Sequence, residues 1–452
     1  MRLRHLIIIA ICIHIAVAAG VYLAARHNVA PNTFDHGGVG FFASDGRIYR
    51  RQIDALHQTL RQDGVMAWLR TPAPVHVKLY SLSYAAFSPL FGRTILSVEP
   101  LNLFYYVVTL LLVFALGREA FGPKAGFVAA LMYLLMLPTF LLHTTQLLKD
   151  PLFVAVTLLL IFLSIKWITT EYTLPRGLLA GAIGGVAGAS LWLIKHSAWW
   201  VVLAILVLGL TLSIASQVQR RVFLTGNIAG VAIMLGIALA ASYFVTPYYL
   251  PKEYWTPHRP GDSRVMPSAS AELNNEELAV QSVEGFSGPG KSVALARARF
   301  ALYPNARSNV DPDVRFASTI DILRHVPRAF VVGMFAPFPN MWFSSGDQVG
   351  KAGRLLSGCE TLLMYVVQLL AVTTLWHRRR HLPSWLLVVT ALIGVVALGL
   401  VVVNVGALYR QRFLFWIVFL IVGADAVTRF ARSRWPRHFG EYATPVLARS
   451  DA

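Results

Sequence analysis

Apolar stretches of about twenty residues recur along this 452-residue chain, and that recurrence restricts the fold more than any motif does. A bilayer core about 30 Å thick is crossed by about 20 mostly apolar helical residues, and only a helix or a closed barrel pairs every backbone N–H and C=O there without water. Runs at 6–25, 95–117, 125–143, 151–168, 177–195, 198–216, 222–245, 355–376, 383–404 and 411–429 meet that length. The sequence therefore predicts an all-α, polytopic transmembrane helical bundle of about ten helices. With 56% hydrophobic and 14% charged residues, a water-soluble globule of this composition would aggregate. The first run follows Arg2 and Arg4 as in a signal peptide, but it is too long and too lightly punctuated for cleavage, and it reads as a retained helix.

Lys and Arg mark every second connection: the N-terminus, 118–124, 166–176, Arg220 and Arg221, 378–380, and the tail with Arg429, Arg432, Arg434 and Arg437. Because such residues are retained on the cytoplasmic side, this regularity predicts both termini in the cytoplasm and fits a multi-pass protein of the bacterial inner membrane. Two long loops, 26–94 and 246–354, then fall on the outer face. The chain divides into a catalytic module at 1–245, the large outer loop at 246–354, C-terminal membrane helices at 355–430 and a cytoplasmic tail at 431–452. An amphipathic stretch at 48–60 and a short apolar piece at 77–91 are expected to lie in the interface rather than cross it. The apolar segment 330–343, interrupted by Pro337 and Pro339, is expected to be interfacial or re-entrant. Cys12 and Cys359, the only cysteines, both lie in apolar segments and imply neither a disulfide framework nor a zinc site. The net charge of +18 suits anionic membrane lipid and an anionic substrate. No basic domain interleaved with aromatics points to nucleic acid.

Four separated positions put ionisable groups at one depth on the outer face. Asp45, in Ser44-Asp45-Gly46-Arg47-Ile48-Tyr49, reads equally as a helix cap and as a general base whose pKa is raised at a membrane surface. Asp54 falls on the polar side of its helix and Asp35 in a Gly-rich stretch read as flexible, and both are weaker candidates. In Lys149-Asp150-Pro151, capping accounts for Asp150 but not for Lys149, since a cation opposes the macrodipole at a helix N-terminus by about 0.3–1 kcal/mol. Lys195-His196 closes the fifth helix, where a snorkelling lysine is the plain alternative. Tyr409-Arg410-Gln411-Arg412 opens the last helix against the positive-inside trend, with lipid headgroups as the alternative partner. Together Lys149, Lys195, Arg410 and Arg412 are candidates to bind a phosphate beside Asp45 and Asp150, with Tyr49, His76, His196 and Tyr409 lining the site. Glu360 and Asp425 are expected to be partnered structural groups. No metal-ligand spacing or Gly-rich phosphate loop is present.

On these residues the chain resembles the polytopic glycosyltransferases of the GT-C superfamily, which use polyprenyl-phosphate sugars and include protein O-mannosyltransferases and the lipid A aminoarabinose transferase. The likeness rests on Asp45-Gly46-Arg47-Ile48-Tyr49 after one helix, the piece from His76 to Gly92, and the turn Gly117-Arg118-Glu119-Ala120-Phe121-Gly122. It continues through Lys149-Asp150-Pro151, Lys195 and Tyr409-Arg410. It covers most of 1–245 and is faint beyond, apart from the last two helices. The resemblance implies Asp45 as the base near the acceptor, Asp150 as a second acidic position, and Lys195 as the outer-face lysine after the fifth helix. The sequence lacks a second acidic residue immediately beside Asp45, which leaves a divalent metal open along with the acceptor (glycan, lipid or protein); no other cofactor is implied. The implied reaction transfers a sugar from a polyprenyl-phosphate-linked donor on the outer face, in the biosynthesis of cell-envelope polysaccharide. Two other readings remain at this stage: a transporter or flippase for lipid-linked sugars, and an O-antigen polymerase or ligase.

Overall fold

The computed structural model describes residues 2–29, 31, 33–248, 277–286, 288, 290–302, 308–343 and 350–434. The first part of the loop at 251–313 and the tail at 435–452, with Arg437, lie outside the described residues. Apart from two isolated bridges, the described residues form helices and their connections.

Helix α1 (Leu3–Arg26) leads into three helices of the first long connection: α2 (Ser44–Gln62), α3 (Gly64–Arg70) and α4 (Val75–Phe91). Then come α5 (Glu99–Phe121), α6 (Pro123–Met136), α7 (Pro138–Thr144), α8 (Asp150–Thr169), α9 (Leu174–Lys195), α10 (Trp199–Arg220) and α11 (Thr225–Phe244). The second long connection carries α12 (Lys291–Ala301) and α13 (Thr319–Phe335). The bundle closes with α14 (Gly350–His377), α15 (Leu382–Val401), the short α16 (Val405–Gln411) and α17 (Phe413–Arg434).

Among the described residues, eight helical stretches are long and apolar enough to cross a membrane, or nine with one bent pair. The bent pair is α6 and α7, which meet at 77°. Pro138 at the first turn of α7 cannot continue the hydrogen-bond ladder of α6, so the third run is not the straight span that 125–143 suggests. One of the eight stretches, Leu174–Arg220, is 47 residues long. Its hydrogen bonds resolve it into a hairpin. Lys195, at the end of α9, meets Asp150 at the start of α8, whereas Ser213 and Ser216 in α10 donate to the carbonyls of Trp167 and Ile168 near the end of α8. Helix α9 thus runs against α8 and α10 runs with it, which makes two spans of one stretch.

Helix α17 is apolar all round and correspondingly buried, with Phe413 through Ala426 shielded on every side. Helices α5, α6, α8, α14 and α15 pack about it. At one edge α9 and α11 approach until Gly177 faces the Gly226 carbonyl and Gly181 that of Gly230; a Cβ would come within 2.1 and 2.2 Å of these oxygens, so small residues are obligatory there.

The basic connections gather at one end. Lys166 pairs with Glu119 at 3.0 Å, Arg378 and Arg429 hold Asp425 between them, and the Arg378 guanidinium lies over the Phe121 ring. Asp425 is therefore a partnered structural group. Both long connections sit at the opposite end. Helices α2 and α4 share a core of Tyr49, Ile53, Val77, Tyr80 and Tyr84 with Ile95 and Leu147. Asp35 is fixed rather than flexible: it accepts from the backbone of Gly37 and Val39 and pairs with Arg50 at 2.6 Å.

The second connection reaches into the bundle. Helix α13 begins with a Ser318 capping box, well before the apolar segment at 330–343, and descends along α15, with Ala329 against Gly399 and Gly333 against Val395. Its C-terminal carbonyls would be orphaned in an apolar interior. Three side chains take them: Arg412 donates to Gly333, Gln368 to Met334 and Tyr365 to Phe335. The chain returns through a single turn at Pro339–Trp342. Val310 and Val405 exchange backbone bonds with Val403 and Ser308, tying this connection to the segment that precedes α16.

Candidate functional site

Four ionisable residues meet where helix ends converge. Asp45 and Asp150 lie in the first turns of α2 and α8, Lys195 and Arg410 in the last turns of α9 and α16. Each charge sits at the helix end whose dipole favours it, an effect of about 0.3–1 kcal/mol per group. Neither aspartate is a cap: Ala43 and Lys149 hold the N-cap positions and no side-chain cap bond forms. The carboxylates turn to cations instead. Arg410 Nη2 donates to Asp45 Oδ2 at 2.5 Å, its Nε faces Asp150 Oδ2 at 3.2 Å, and Lys195 Nζ donates to Asp150 Oδ1 at 3.4 Å. Arg410 thus bridges the two carboxylates, and Lys195, over the Phe153 ring, closes the series. Asp45 is the most open member, its side chain 31% exposed against 13% for Asp150 and Arg410. The Arg410 Nε and the Asp150 Oδ2 face each other without hydrogen-bond alignment, so each keeps bonding capacity.

Burial opposes the charge of Arg410, but Asp45 and Asp150 more than offset it and hold the guanidinium above its ordinary value. Tyr49, one turn after Asp45, has its phenol pushed well up by burial and by the two carboxylates, so it is a neutral hydroxyl at physiological pH. Its ring meets His76 edge-on at 4.4 Å. His76 is 3% exposed, and neither ring nitrogen has a partner among the described residues. Burial, helped by Lys149, lowers its pKa to about 3 and keeps the imidazole neutral. Lys149 is half-buried and is the cation of this group without an ion pair among the described residues. His196 stands just past Lys195, its ring 6.3 Å from that of Trp192.

Two predicted members face elsewhere. Tyr409 and Arg412 lie one position before and two after Arg410 at the end of α16, about 100° and 200° around the helix, so neither shares the direction of Arg410. Arg412 is fully buried, stacked 4.0 Å over Trp416 while it caps α13. This position corrects its assignment to a phosphate. Tyr409 donates to the Glu360 carboxylate, which also accepts the Thr139 hydroxyl and, at 2.5 Å, the Thr139 N–H. Glu360 is therefore partnered, but its partners fix the start of α7 and the residue beside Arg410, a supporting role that sequence reasoning missed. A second buried set, His14 between Glu99 at 2.6 Å and Thr144 at 3.0 Å, was also missed. Its only signal was a histidine in the middle of an apolar helix.

Among the described residues, no group of three His, Cys, Asp or Glu side chains is arranged to hold a metal ion. No protein-family model and no curated protein matches the chain. Among solved structures, it is similar to the archaeal oligosaccharyltransferase AglB of Archaeoglobus fulgidus in complex with an inhibitory peptide and a dolichol-phosphate, at 14% identity and a TM-score of 0.46 over 97% of this chain. The chain spans about half of that protein's length, covering 52% of it. It is also similar to ArnT of Cupriavidus metallidurans bound to undecaprenyl phosphate, at 15% identity and a TM-score of 0.36, over 96% of this chain and 81% of the other.

Proposed function

We propose that the chain is a glycosyltransferase of the bacterial inner membrane, with both termini cytoplasmic, that moves a sugar from a polyprenyl-phosphate donor to a lipid, glycan or protein acceptor on the outer face. The observation that carries this reading is the linked series Asp45, Arg410, Asp150 and Lys195 at the helix ends beside both long connections. It combines the two things such a transfer needs. A lipid phosphate is already a good leaving group, so the site must stabilise the charge that develops on it, and must remove a proton from the acceptor.

In this reading Lys149, Lys195 and Arg410 receive the phosphate. Asp45, the most exposed carboxylate, takes the acceptor proton, while Asp150 holds Lys195 and Arg410 in place. As a phosphate enters, it competes with the carboxylates for Arg410, and a guanidinium drawn from Asp45 leaves that carboxylate free to act as base. The anomeric carbon passes through an oxocarbenium-like state, with inversion for a single displacement.

The test is transfer of radiolabelled sugar from a panel of polyprenyl-phosphate sugars into membrane extracts, with wild type and Asp45→Asn at matched expression. The expected result is incorporation by wild type and loss in the variant. Equal incorporation by both removes Asp45 as the base. No incorporation from any donor overturns the transferase and favours a carrier of lipid-linked sugars.

A further inference from the structure

His143 stands in the last turn of α7, half-buried, with Arg410 and Asp150 as the ionised groups that act on its ring. Its Nδ1 lies 2.7 Å from the Thr139 carbonyl, one helical turn back. A carbonyl only accepts, so Nδ1 carries the proton of the neutral imidazole and Nε2 keeps its lone pair. That nitrogen has no hydrogen-bond partner among the described residues, and it is not sealed off by burial. It is an accessible acceptor beside the pair of Arg410 and Asp150. His76 and His14 offer nothing comparable: both nitrogens of the first are buried, and those of the second are taken by Glu99 and Thr144. The Phe42 ring, in the single turn that leads into α2, meets His143 edge-on at 5.1 Å and Phe34 at 5.9 Å. Gly40 makes room for it, since a Cβ there would come within 2.3 Å of that ring, and the Gly40 N–H is anchored on Gln146 at 2.7 Å. Phe413, 2% exposed, backs the imidazole at 5.7 Å. A fixed aromatic face beside one fixed polar atom is how a pocket orients a small polyhydroxylated ring.

We infer that His143 reads one hydroxyl of the sugar being transferred, accepting its hydrogen bond at Nε2 while the apolar C–H side of the sugar lies on Phe42. This rests on the proposed function and adds what is recognised in the transferred group. A lone pair demands a donor. A sugar that carries hydrogen, fluorine or a methyl ether at the read position cannot supply one, and it leaves Nε2 unpaired where the sugar has displaced water. His143 is thus a specificity-determining residue: it touches the sugar and takes no part in removing the acceptor proton, which stays with Asp45.

The test is equilibrium binding of tritiated farnesyl phosphate and its mannosyl, glucosyl and galactosyl esters to the full chain in phosphatidylcholine nanodiscs, followed by the monodeoxy and deoxyfluoro analogues of the tightest-bound ester. At least one glycosyl ester should bind more tightly than farnesyl phosphate itself. Deoxygenation at one position should weaken it about 3- to 10-fold, the worth of one neutral hydrogen bond. Fluorine at that position should cost as much, because it cannot donate. His143→Phe should weaken the parent ester by the same factor and add no further loss with the analogue altered at that position. It should bind farnesyl phosphate as wild type does, which controls for folding. Equal binding of the parent ester by wild type and His143→Phe, or an undiminished deoxy loss in the variant, overturns the reading. Should the variant lose farnesyl phosphate as well, the wild-type scan decides: no single position sensitive to both deoxygenation and fluorination overturns it. The two readings fail separately. Hydroxyl-dependent binding without transfer from any donor removes the transferase and keeps the sugar reading. Transfer at the same kcat/KM in wild type and His143→Phe keeps the transferase and removes the sugar reading.

Discussion

Replacing Asp150 by Asn removes the one carboxylate that faces both Lys195 and Arg410, at 3.4 and 3.2 Å. All three side chains are 10–13% exposed, so water screens them little. Unit charges about 4 Å apart at an effective dielectric constant near 20 interact by about 4 kcal/mol, and breaking a buried pair while leaving its partner charged costs about 3–5 kcal/mol. The Asp150→Asn chain should therefore lose about 3–5 kcal/mol, because Lys195 is left against Arg410 and Lys149 with no counter-charge of its own. Lys195→Gln should lose less, about 1–3 kcal/mol, since Asp150 keeps Arg410 as its counter-charge. The double variant removes one charge of each sign and should be more stable than the sum of the two losses predicts, by about 2–3 kcal/mol. The assay is mixed-micelle denaturation of the purified full chain, followed by tryptophan fluorescence, for wild type, both single variants and the double. Strictly additive losses would show that Asp150 and Lys195 do not interact, and the linked series at the helix ends would be an accident of proximity.

Two further outcomes follow from side chains outside that series. Arg412→Met should cost about 1–3 kcal/mol in the same denaturation, because the Gly333 carbonyl at the buried end of α13 loses its donor, while the KM for the polyprenyl-phosphate sugar donor stays as in wild type; a raised KM at unchanged stability would return Arg412 to the phosphate. His76 predicts a pH dependence: its folded pKa of about 3 lies below the unfolded value of about 6.5, so between those limits the unfolded state binds the extra proton and stability falls as pH drops, by about 1.4 kcal/mol per unit. From pH 6.5 to 5 wild type should lose about 2 kcal/mol more than His76→Phe, and parallel curves for the two would mean that His76 is not held neutral by burial.

What could be read from the sequence was what depends on local composition. Span length and apolarity are properties of twenty consecutive residues, and positions of Lys and Arg are properties of the connections, so the helical bundle and the gathering of basic connections at one end followed from them. Pro138 was a local signal too, but its effect depended on what surrounds it. A proline inside an apolar run marks a break only once Glu360, far along the chain, takes the freed Thr139 N–H and stabilises the start of α7. Pro337 and Pro339 marked 330–343 as interfacial or re-entrant, but the helix that leads into it from Thr319 was not legible. An ordinary amphipathic helix enters the bundle because Gln368 and Tyr365 of α14 and Arg412, between α16 and α17, satisfy its last carbonyls, and nothing within 319–335 specifies those partners.

The site lies between these cases. Asp45 and Arg410 are 365 positions apart, so no spacing rule links them, yet the fold brings four of the predicted residues together for a reason that is partly local. Acidic residues in a first turn and basic residues in a last turn are stable choices for each helix taken alone. When antiparallel helices end at the same level, first turns and last turns alternate around the rim, and groups of opposite sign become neighbours without any long-range instruction. Lys149 is the exception, a cation at a helix start, and among the described residues it is the one left without a counter-ion. The same helix-end rule that pairs Asp45, Asp150, Lys195 and Arg410 thus singles out Lys149 as the cation of this cluster that has no ion pair among the described residues, which is the property an anion-binding residue needs.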